Sequence, residues 1–414
     1  KVLKSKDRFN LGERNFDGCV DLVEKVLMHS VKSHMQSDVP YGAFLSGGID
    51  SSTIVALMQS QSSKPVNTFS IGFKERAHDE SKFASAVAKH LGTNHNEIII
   101  SPSDAIPILM ESSKYFDEPF ADNSVIPTYL VSKFARNSVK VCLSGDGGDE
   151  LYGGYPRYFW AKRIENLRKL SPLFSRLCGN ILSSIPTPVL NKYIDPILGY
   201  RFSGAEGLSH RVDRLAKYLK VSRNLVYQEL TPYWSDPVTL LNIKKYNKIG
   251  NDDISYSNLS WSEEMMLIDQ QYYLQDNILT KLDRTSMAVS LEARVPFLTH
   301  KMVELSWQIP TTMKFENNSD RGKLILRKLL ERYIPKNMID RPKQGFGLPL
   351  NSWLRGPLRD WVESIFEKNK IEESGLNNSL VRKIWKQQLD GKNSQEKIWS
   401  IIMYMQWHKR IFRL

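Results

Sequence analysis

The segment VPYGAFLSGGIDSS, residues 39–52, sets the class of fold for this chain. Its run YGAFL (41–45) is short and apolar and predicts a buried β-strand, and TIVALMQSQ (53–61) predicts the helix that follows. Between them lie two glycines and several hydroxyl side chains. A strand that leads through glycines into a helix presents free backbone N–H groups and the positive end of the helix dipole. The segment therefore predicts an α/β fold with an anion-binding loop.

The alternation of strands and helices continues to residue 145. Runs rich in β-forming residues predict further strands at 66–73, 95–100 and 139–145. Apolar residues at helical spacing predict helices at 18–36, 80–92, 102–116 and 124–136. This order predicts a parallel sheet flanked by helices, with ligands at the carboxyl ends of its strands.

The pattern changes after the glycine- and tyrosine-rich stretch that follows residue 150. Residues 157–414 show helical periodicity and few strand signals. We therefore predict an α/β nucleotide-binding region at 1–156 and a mostly helical region at 157–414 that completes the same domain.

Composition excludes several classes of protein. Of the 414 residues, 41% are hydrophobic and 25% charged, which is typical of a globular protein rather than a disordered chain. We expect no membrane span, because no uninterrupted apolar run reaches about 18 residues. The three cysteines form no CxxC pair, which argues against a disulfide scaffold and a zinc site and favours a reducing cytoplasm.

The net charge of +12 has two interpretations. One is a nucleic-acid partner; the other is a solvated surface combined with a pocket for an anionic ligand. Lysines and arginines are spread along the chain without RGG repeats or long basic blocks. This distribution favours the second interpretation.

The loop at residues 46–52 combines three kinds of group. Gly47 and Gly48 lack Cβ atoms and let backbone amides approach an anion, while Ser46 and Ser51 add hydroxyl donors. Asp50 belongs beside a phosphate only when Mg²⁺ lies between them. A helix cap is the alternative, but it explains one of these residues rather than the set. No GK followed by Ser or Thr occurs, so this is not a Walker A loop.

A second polar loop, SGDGGDE, occupies residues 144–150 after the last predicted strand. Its acids Asp146, Asp149 and Glu150 repel one another unless a cation or a substrate amine compensates. An exposed acidic turn is the alternative interpretation. The presence of both loops at strand ends favours a site for Mg²⁺ and pyrophosphate.

The sequence closely resembles the synthetase domain of the glutamine-hydrolysing asparagine synthetases, which have the ATP pyrophosphatase fold. The resemblance covers roughly residues 20–410. It rests on these blocks: VPYGAFLSGGIDSS, TFSIGF, HLGTNHNEI, DEPFADNSVIPTYLVSK, VKVCLSGDGGDELYGGYPRY, LTKLDRTSMAVSLEARVPFL, GKLILRK and RPKQGFGLPLNSWL. It implies ATP-dependent amidation of L-aspartate to L-asparagine through β-aspartyl-AMP, with Mg²⁺ required and with AMP and pyrophosphate released.

The resemblance also implies which residues bind the nucleotide and its metal. The residues expected to bind ATP are Leu45, Ser46, Gly47, Gly48, Asp50, Ser51, Ser70, Ile71, Gly72, Ser144 and Gly145. Among them, Leu45 and Ile71 would contact adenine, and the backbone of Ser70 and Gly72 would read its edge. Asp50 and Asp149 would bind Mg²⁺.

Two residues are implied to be catalytic. Lys323, in the GKLILRK block, would stabilise negative charge as the adenylate forms and reacts. A solvated lysine on an amphipathic helix is the alternative from the residues alone. Asp146 stands where many members carry the longer Glu and would orient the acceptor or the ammonia. Tyr155 and Asp117 are weaker candidates for the acceptor pocket.

Four charges in apolar stretches have a structural interpretation. Because buried charges are usually paired, we expect ion pairs that hold the helical half onto the sheet. The four residues are Asp283, Arg284, Glu292 and Arg294.

The resemblance further implies partners. Family members carry an N-terminal glutaminase domain with a catalytic cysteine, whereas this chain begins at Lys1 and its first cysteine is Cys19. We expect that domain to be absent here, so that ammonia is supplied by it in a longer protein or taken up free. A homodimer is compatible with the resemblance.

Other functions fit part of the pattern. A related ligase could act on another carboxylate, such as a sugar acid, or could form a β-lactam. A tRNA-binding or tRNA-modifying protein would share the SGGxDS loop and the basic charge. An inactive scaffold would lack the acids and the lysine that this chain retains.

Overall fold

The computed structural model describes residues 15–75, 79–185, 258–316, 321–340 and 347–412, with scattered positions between 212 and 243. The described residues form two compact units. The first draws on Lys1–Tyr155, Met266–Arg359 and Met403–Leu414, and the second on Pro156–Met265 and Asp360–Ile402.

The strands that the structure describes form one parallel sheet in the first unit. In chain order they are β1 (Tyr41–Phe44), β2 (Asn67–Phe73), β3 (Asn94–Ile100), β4 (Val141–Leu143) and β5 (Glu292–Arg294). They lie in the order β3-β2-β1-β4-β5, and each neighbouring pair is parallel. The strand order reverses at β1, between β2 and β4. The carboxyl end of β1 is therefore the switch point, where open parallel sheets bind their ligands.

Helices occupy most of the remaining described chain. The first are α1 (Phe16–His34), α2 (Ile49–Ser60), α3 (Ser81–Leu91), α4 (Pro102–Glu111), α5 (Val125–Arg136), α6 (Gly148–Tyr152), α7 (Pro156–Leu170), α8 (Pro172–Ser184), α9 (Pro237–Leu241) and α10 (Trp261–Ile268). After a π-helical stretch (Asp269–Leu279) come α11 (Thr280–Met287), α12 (His300–Gln308), α13 (Thr311–Lys314), α14 (Leu324–Leu330), α15 (Lys336–Ile339), α16 (Leu350–Arg355), α17 (Arg359–Ile365), α18 (Lys368–Glu373), α19 (Asn378–Leu389) and α20 (Gln395–Phe412). Short 3₁₀ turns occur at Ser112–Lys114 and Pro296–Leu298.

The core of the first unit fixes α14 against the elements around β1. Leu27 of α1, Leu57 of α2, Leu143 of β4 and Leu329 of α14 are fully buried in one apolar cluster. Burial of one such side chain contributes about 2 kcal/mol. Packing on α1 and α2 places the N-terminus of α14, and with it residue 323, close to the first turn of α2.

The second unit is helical in its described part. Tyr158, Phe366, Trp385 and Trp399 are buried in it. The indole N–H of Trp385 donates to Glu363 across 2.6 Å, which links α19 to α17. This unit supplies none of the predicted site residues.

The predicted fold class is confirmed. The structure has a parallel sheet flanked by helices and a mostly helical C-terminal half. The four strands predicted from the sequence are present, and α2 begins at Ile49, so that Asp50 and Ser51 lie in its first turn. Strand β5 was not predicted, because three residues, two of them charged, give no strand pattern. The three cysteines are free. Among the described residues, no helix has the length and apolar character needed to cross a bilayer.

The expectation of buried pairs at Asp283 and Arg284 was wrong. Both side chains are at least half exposed, and Arg284 lies 3.7 Å from the exposed Asp117. The buried cation of α11 is instead Lys281, one helical turn away, which pairs with Asp122 at 3.5 Å. Helical periodicity explains the difference, because positions 281 and 285 face inward while 283 and 284 face out.

Arg294 has a structural role of another kind. It pairs with Glu292 of the same strand at 2.7 Å, and its guanidinium donates to the carbonyl oxygens of His34 and Gln36. A cation at this position satisfies free carbonyls at the C-terminal end of α1 and complements the helix dipole there. Arg294 therefore links the C-terminal end of α1 to β5, the edge strand of the sheet.

Asp122 and Lys281 should make stability depend on pH. Burial alone would raise the pKa of Asp122, but the charge of Lys281 and hydrogen bonds from Ser124 and Asn277 outweigh it and lower the pKa. The pair therefore contributes stability above the unfolded pKa of about 3.9, and this stability is lost as the pH falls through the folded pKa. We expect Lys281→Met to cost about 3 kcal/mol at pH 7, because a buried carboxylate loses its cation.

Denaturant unfolding of wild type, Lys281→Met and Lys281→Met/Asp122→Asn measures this contribution. The double variant should recover part of the loss, because no buried charge is left unpaired. Equal losses in the single and the double variant would contradict the role given to the pair.

Candidate active site

The loop after β1 is held by its own hydroxyl groups. The Oγ atoms of Ser46 and Ser51 lie 3.0 Å apart, and the amide of Ser46 donates to Ser51 Oγ. The amide of Gly48, the N-cap of α2, donates to Ser46 Oγ across 3.2 Å. These bonds close the loop over the first turn of α2, where backbone N–H groups and the helix dipole favour an anion.

Lys323 lies next to this loop, although it follows all five strands in the chain. A bridge between Phe315 and Gly322 precedes it, and Lys323 itself takes a left-handed backbone conformation with φ 59°. Its amide donates to the carbonyl oxygen of Tyr152, and its carbonyl oxygen accepts from Arg327 of α14. A left-handed conformation costs a residue with a Cβ about 1–2 kcal/mol. Such a conformation persists where the surroundings fix it, as they often do at functional sites.

The Lys323 side chain joins the two predicted metal ligands. Its Nζ donates to Asp149 Oδ1 across 2.8 Å and makes a short contact with Asp50 Oδ2. Only 7% of the Lys323 side chain is exposed. Burial would lower the pKa of Lys323, but the charges of Asp149 and Asp50 outweigh it and raise the pKa. The lysine is therefore a firmly charged ammonium between two carboxylates.

Two glycines allow these groups to meet. A Cβ on Gly148 would lie 2.4 Å from Asp50 Oδ1, and a Cβ on Gly154 would lie 2.3 Å from the Lys323 side chain and closer still to Asp149. Real Cβ atoms are not found at such distances. Gly148 and Gly154 thus leave room for Asp149 to lie against Lys323 and the first turn of α2.

The other acids of the second loop have different surroundings. The hydroxyl of Ser144 donates to Asp146 across 2.6 Å. Glu150 is fully buried, and Tyr155 donates its hydroxyl to Glu150 Oε1 across 2.7 Å. Burial, followed by the nearby charge of Asp149, raises the pKa of Glu150 to about 7. Tyr155, a candidate for the acceptor pocket, is thus hydrogen-bonded to the acidic loop through Glu150. The sequence indicated no role for Glu150 beyond that of one of three acids in this loop.

Of the residues predicted to bind adenine, Leu45 directly follows β1, and Ser70, Ile71 and Gly72 lie on β2. The amide of Leu45 donates to the carbonyl oxygen of Phe69, so Ser70, Ile71 and Gly72 extend past the last paired residue of β1. Ser70 and Ile71 are buried. Ser70 Oγ is also 3.1 Å from Nε2 of His95 on β3. The roles given to these residues, and to Ser144 and Gly145, stay predictions.

Asp117 pairs with a residue outside the acidic loop. Its side chain is 92% exposed and lies 3.7 Å from the guanidinium of Arg284, and its carbonyl oxygen accepts from the indole of Trp407. Its predicted place in an acceptor pocket stays a prediction.

The geometry sets what the site can do. Two carboxylates and one ammonium sum to a charge of −1, and they lie beside a helix N-terminus that attracts anions. No group of three or more His, Cys, Asp or Glu side chains within the described residues could hold a metal by itself. Oxygen ligands from a bound phosphate would complete a cation site here, as is common for Mg²⁺.

A parallel sheet with such loops at its switch point is the architecture of α/β proteins of the ATP pyrophosphatase type. The profile of the asparagine synthase family matches residues 22–409. The chain belongs to the asparagine synthase family.

Three relatives show what the chain is similar to. The glutamine-hydrolysing asparagine synthetase 1 of Bacillus subtilis is 29% identical over 403 residues, which are 97% of this chain and 61% of the relative. Asparagine synthetase 3 of the same organism is 27% identical over 401 residues, 93% of this chain and 57% of the relative. Asparagine synthetase B of Escherichia coli is 34% identical over 180 residues, 38% and 32% of the two chains. The chain thus spans about three fifths of the length of the two Bacillus relatives.

Gly47 should be more sensitive to substitution than a glycine of equal backbone geometry. Both Gly47 and Gly92 have φ 71°. A Cβ on Gly47 would lie 2.7 Å from the backbone of α3, whereas a Cβ on Gly92 would have no atom within 4 Å among the described residues other than its chain neighbours. We expect Gly92→Ala to cost about 1 kcal/mol of unfolding free energy from backbone strain alone. Gly47→Ala should cost roughly 2 kcal/mol more, because α3 must shift.

Denaturant unfolding of the two variants measures the difference. Equal losses would show that the loop at residue 47 is not packed against α3 in the way described.

Proposed function

We propose that this chain catalyses ATP-dependent amide formation on a carboxylate, with L-aspartate as acceptor and L-asparagine as product. Membership of the asparagine synthase family and the names of its relatives support the reaction class. The observation that carries the proposal is the buried Lys323 ammonium between Asp50 and Asp149, beside the N-terminus of α2.

In the proposed first step the side-chain carboxylate of aspartate attacks the α-phosphorus of ATP. A bond forms between a carboxylate oxygen and phosphorus, and the bond from phosphorus to the bridging oxygen of pyrophosphate breaks. The products are β-aspartyl-AMP and pyrophosphate. Negative charge grows on the phosphoryl and departing oxygens, and a buried ammonium such as Lys323 stabilises it far better than one in water.

The loop after β1 would bind the phosphates. The hydroxyls of Ser46 and Ser51 lie at the N-terminus of α2, where the free N–H groups of the first helical turn and the helix dipole favour an anion. Leu45 and Ile71, on the adjoining strand ends, are buried and apolar, as a surface for adenine should be. Nucleotide and lysine would therefore meet at the switch point of the sheet.

Mg²⁺ fits the carboxylates of this site. Asp50 and Asp149 already share one cation, the Lys323 ammonium, so their oxygens converge on a point where positive charge is stabilised. We infer that these two residues hold Mg²⁺ when nucleotide is bound. The ion would neutralise charge on the phosphates, and Lys323 would then be freed to contact the reacting oxygens.

In the second step ammonia attacks the acyl carbon of the adenylate. A carbon–nitrogen bond forms, the bond from the acyl carbon to the AMP oxygen breaks, and a proton leaves the nitrogen. Asp146, held by Ser144, would orient the acceptor or the ammonia. It is one methylene shorter than the Glu common in the family, so its contact with the substrate would need a closer approach.

The source of the nitrogen is part of the proposal. Ammonia would come from a glutaminase domain in a longer form of the protein or from solution. The proposed setting is the cytoplasm, with no membrane partner and no nucleic-acid partner, and a homodimer is the proposed assembly.

The first test uses this chain with Mg-ATP and ammonium, with and without aspartate. We expect pyrophosphate release that depends on aspartate and is matched by asparagine. Release of pyrophosphate without asparagine would support adenylation but rule out aspartate as the acceptor. Other carboxylates, such as sugar acids, would then be assayed in its place. No carboxylate-dependent pyrophosphate, together with a tight, steeply salt-dependent tRNA complex, would reject the proposal.

Two lysine variants sharpen the test. Lys323→Met should lower kcat for pyrophosphate release by about 10²–10³, because a stabiliser of developing charge is lost. Lys328→Met is the matched control, since Lys328 lies on α14, which begins directly after Lys323, is half exposed and pairs with Glu331. Equal activities of the two variants would rule out the role given to Lys323.

A further inference from the structure

Helix α6, which carries Asp149, is too short to be stable without contacts to the rest of the protein. It has five residues, Gly148–Tyr152, and glycines in left-handed conformations, Gly147 and Gly153, bound it on both sides. A helix of one turn gains few internal hydrogen bonds for the conformational entropy that it loses. Its acids also repel one another. The position of Asp149 therefore depends on contacts made from outside the helix.

Partners from elsewhere in the chain satisfy the carbonyl end of α6. The carbonyl oxygen of Tyr152 accepts from the backbone amide of Lys323. The carbonyl oxygen of Glu150 accepts from Nε2 of Gln270 across 2.9 Å. The last carbonyls of a helix have no partner within it, so each such bond satisfies a group that would otherwise be left without one.

Gln270 is itself oriented by a second residue. The indole Nε1 of Trp307 donates to Oε1 of Gln270 across 2.8 Å, and only 6% of Trp307 is exposed. An indole N–H can only donate and a backbone carbonyl can only accept. The Gln270 amide can therefore satisfy both partners in only one orientation, with its oxygen toward Trp307 and its nitrogen toward the carbonyl of Glu150. In this orientation it links α12 to α6.

The backbone of the segment that carries Gln270 is unusual. Residues Asp269–Leu279 are π-helical, and π-helical turns are rare and occur frequently at functional sites. Two other side chains of this stretch contact polar residues of the first unit. Tyr273 packs edge-on against Tyr155 at 5.9 Å, and Asn277 donates to Asp122. Of these three side chains, that of Gln270 contacts the backbone of α6.

We propose that Gln270 is a positioning residue of this site: its amide, oriented by Trp307, holds α6 so that Asp149 meets Lys323 and can bind the metal–nucleotide complex. The inference rests on the proposed function for its consequence in catalysis. Its structural half, that Gln270 holds α6, stands on the two hydrogen bonds alone.

The test compares three variants on the π-helical stretch. Gln270→Met keeps the length of the side chain and removes both hydrogen bonds. Gln270→Glu keeps an acceptor for Trp307 but has no donor for the Glu150 carbonyl. Gln275→Met is the matched control, because Gln275 is an exposed glutamine of the same stretch.

Hydrogen exchange in the free protein gives the first readout. In Gln270→Met and Gln270→Glu we expect amides of residues 148–154 to exchange roughly tenfold faster, the change that loss of one buried hydrogen bond produces. Amides of the sheet should be unchanged, and Gln275→Met should match wild type. Unchanged exchange in α6, or faster exchange across the whole first unit, would overturn the proposal.

Steady-state kinetics give the second readout. The concentration of Mg-ATP at half-saturation should rise about tenfold in both Gln270 variants, with a smaller change in kcat, because binding geometry rather than the reacting groups is altered. If packing were the only role of Gln270, methionine would substitute well and only glutamate would be impaired. That result would also overturn the proposal.

The two readouts separate this inference from the proposed function. A wild-type chain that does not respond to Mg-ATP would reject the proposed function, while the exchange comparison would still decide whether Gln270 holds α6. A wild-type chain with normal kinetics and Gln270 variants with normal exchange would reject the inference alone.

Discussion

One buried ammonium organises this site. Lys323 joins Asp50 and Asp149, which lie nearly a hundred residues apart in the chain and more than 170 residues from the lysine. Without a cation, two carboxylates at this distance would repel each other and pay a large desolvation penalty. Two features of the fold bring the lysine to the acids. Helix α14 packs in the core beside α1 and α2, and Gly148 and Gly154 leave room for the three side chains.

The sequence predicts the parts of the site that are local in the chain. The strand, the glycine loop and the helix at residues 41–60 follow from apolar runs and turn residues, and so does the acidic loop after β4. Resemblance to a family pointed to Lys323, which a helical pattern alone would have assigned to solvent. Its left-handed backbone and its pairing with both acids depend on contacts distant in sequence, which no local pattern encodes.

Other features escaped prediction for the same reason. Strand β5 has no strand-like pattern of its own and forms because β4 offers it an edge. The charges at Asp283 and Arg284 face solvent, since helix phase rather than composition decides which residue of α11 is buried. Gln270 carries no sequence signal, because a glutamine on a helix is ordinary until its two hydrogen-bond partners are seen.

The central claim is that Lys323 and the acids act as one electrostatic unit. A double-mutant cycle with Lys323→Met, Asp149→Asn and the double variant measures their coupling directly, from the free energies of unfolding at pH 7 without metal. We predict a coupling of at least about 2 kcal/mol, because the attraction between the buried Lys323 and Asp149 charges is present in wild type and absent from all three variants. Additive losses, within about 0.5 kcal/mol, would show that the lysine does not hold the acids together and would contradict the account.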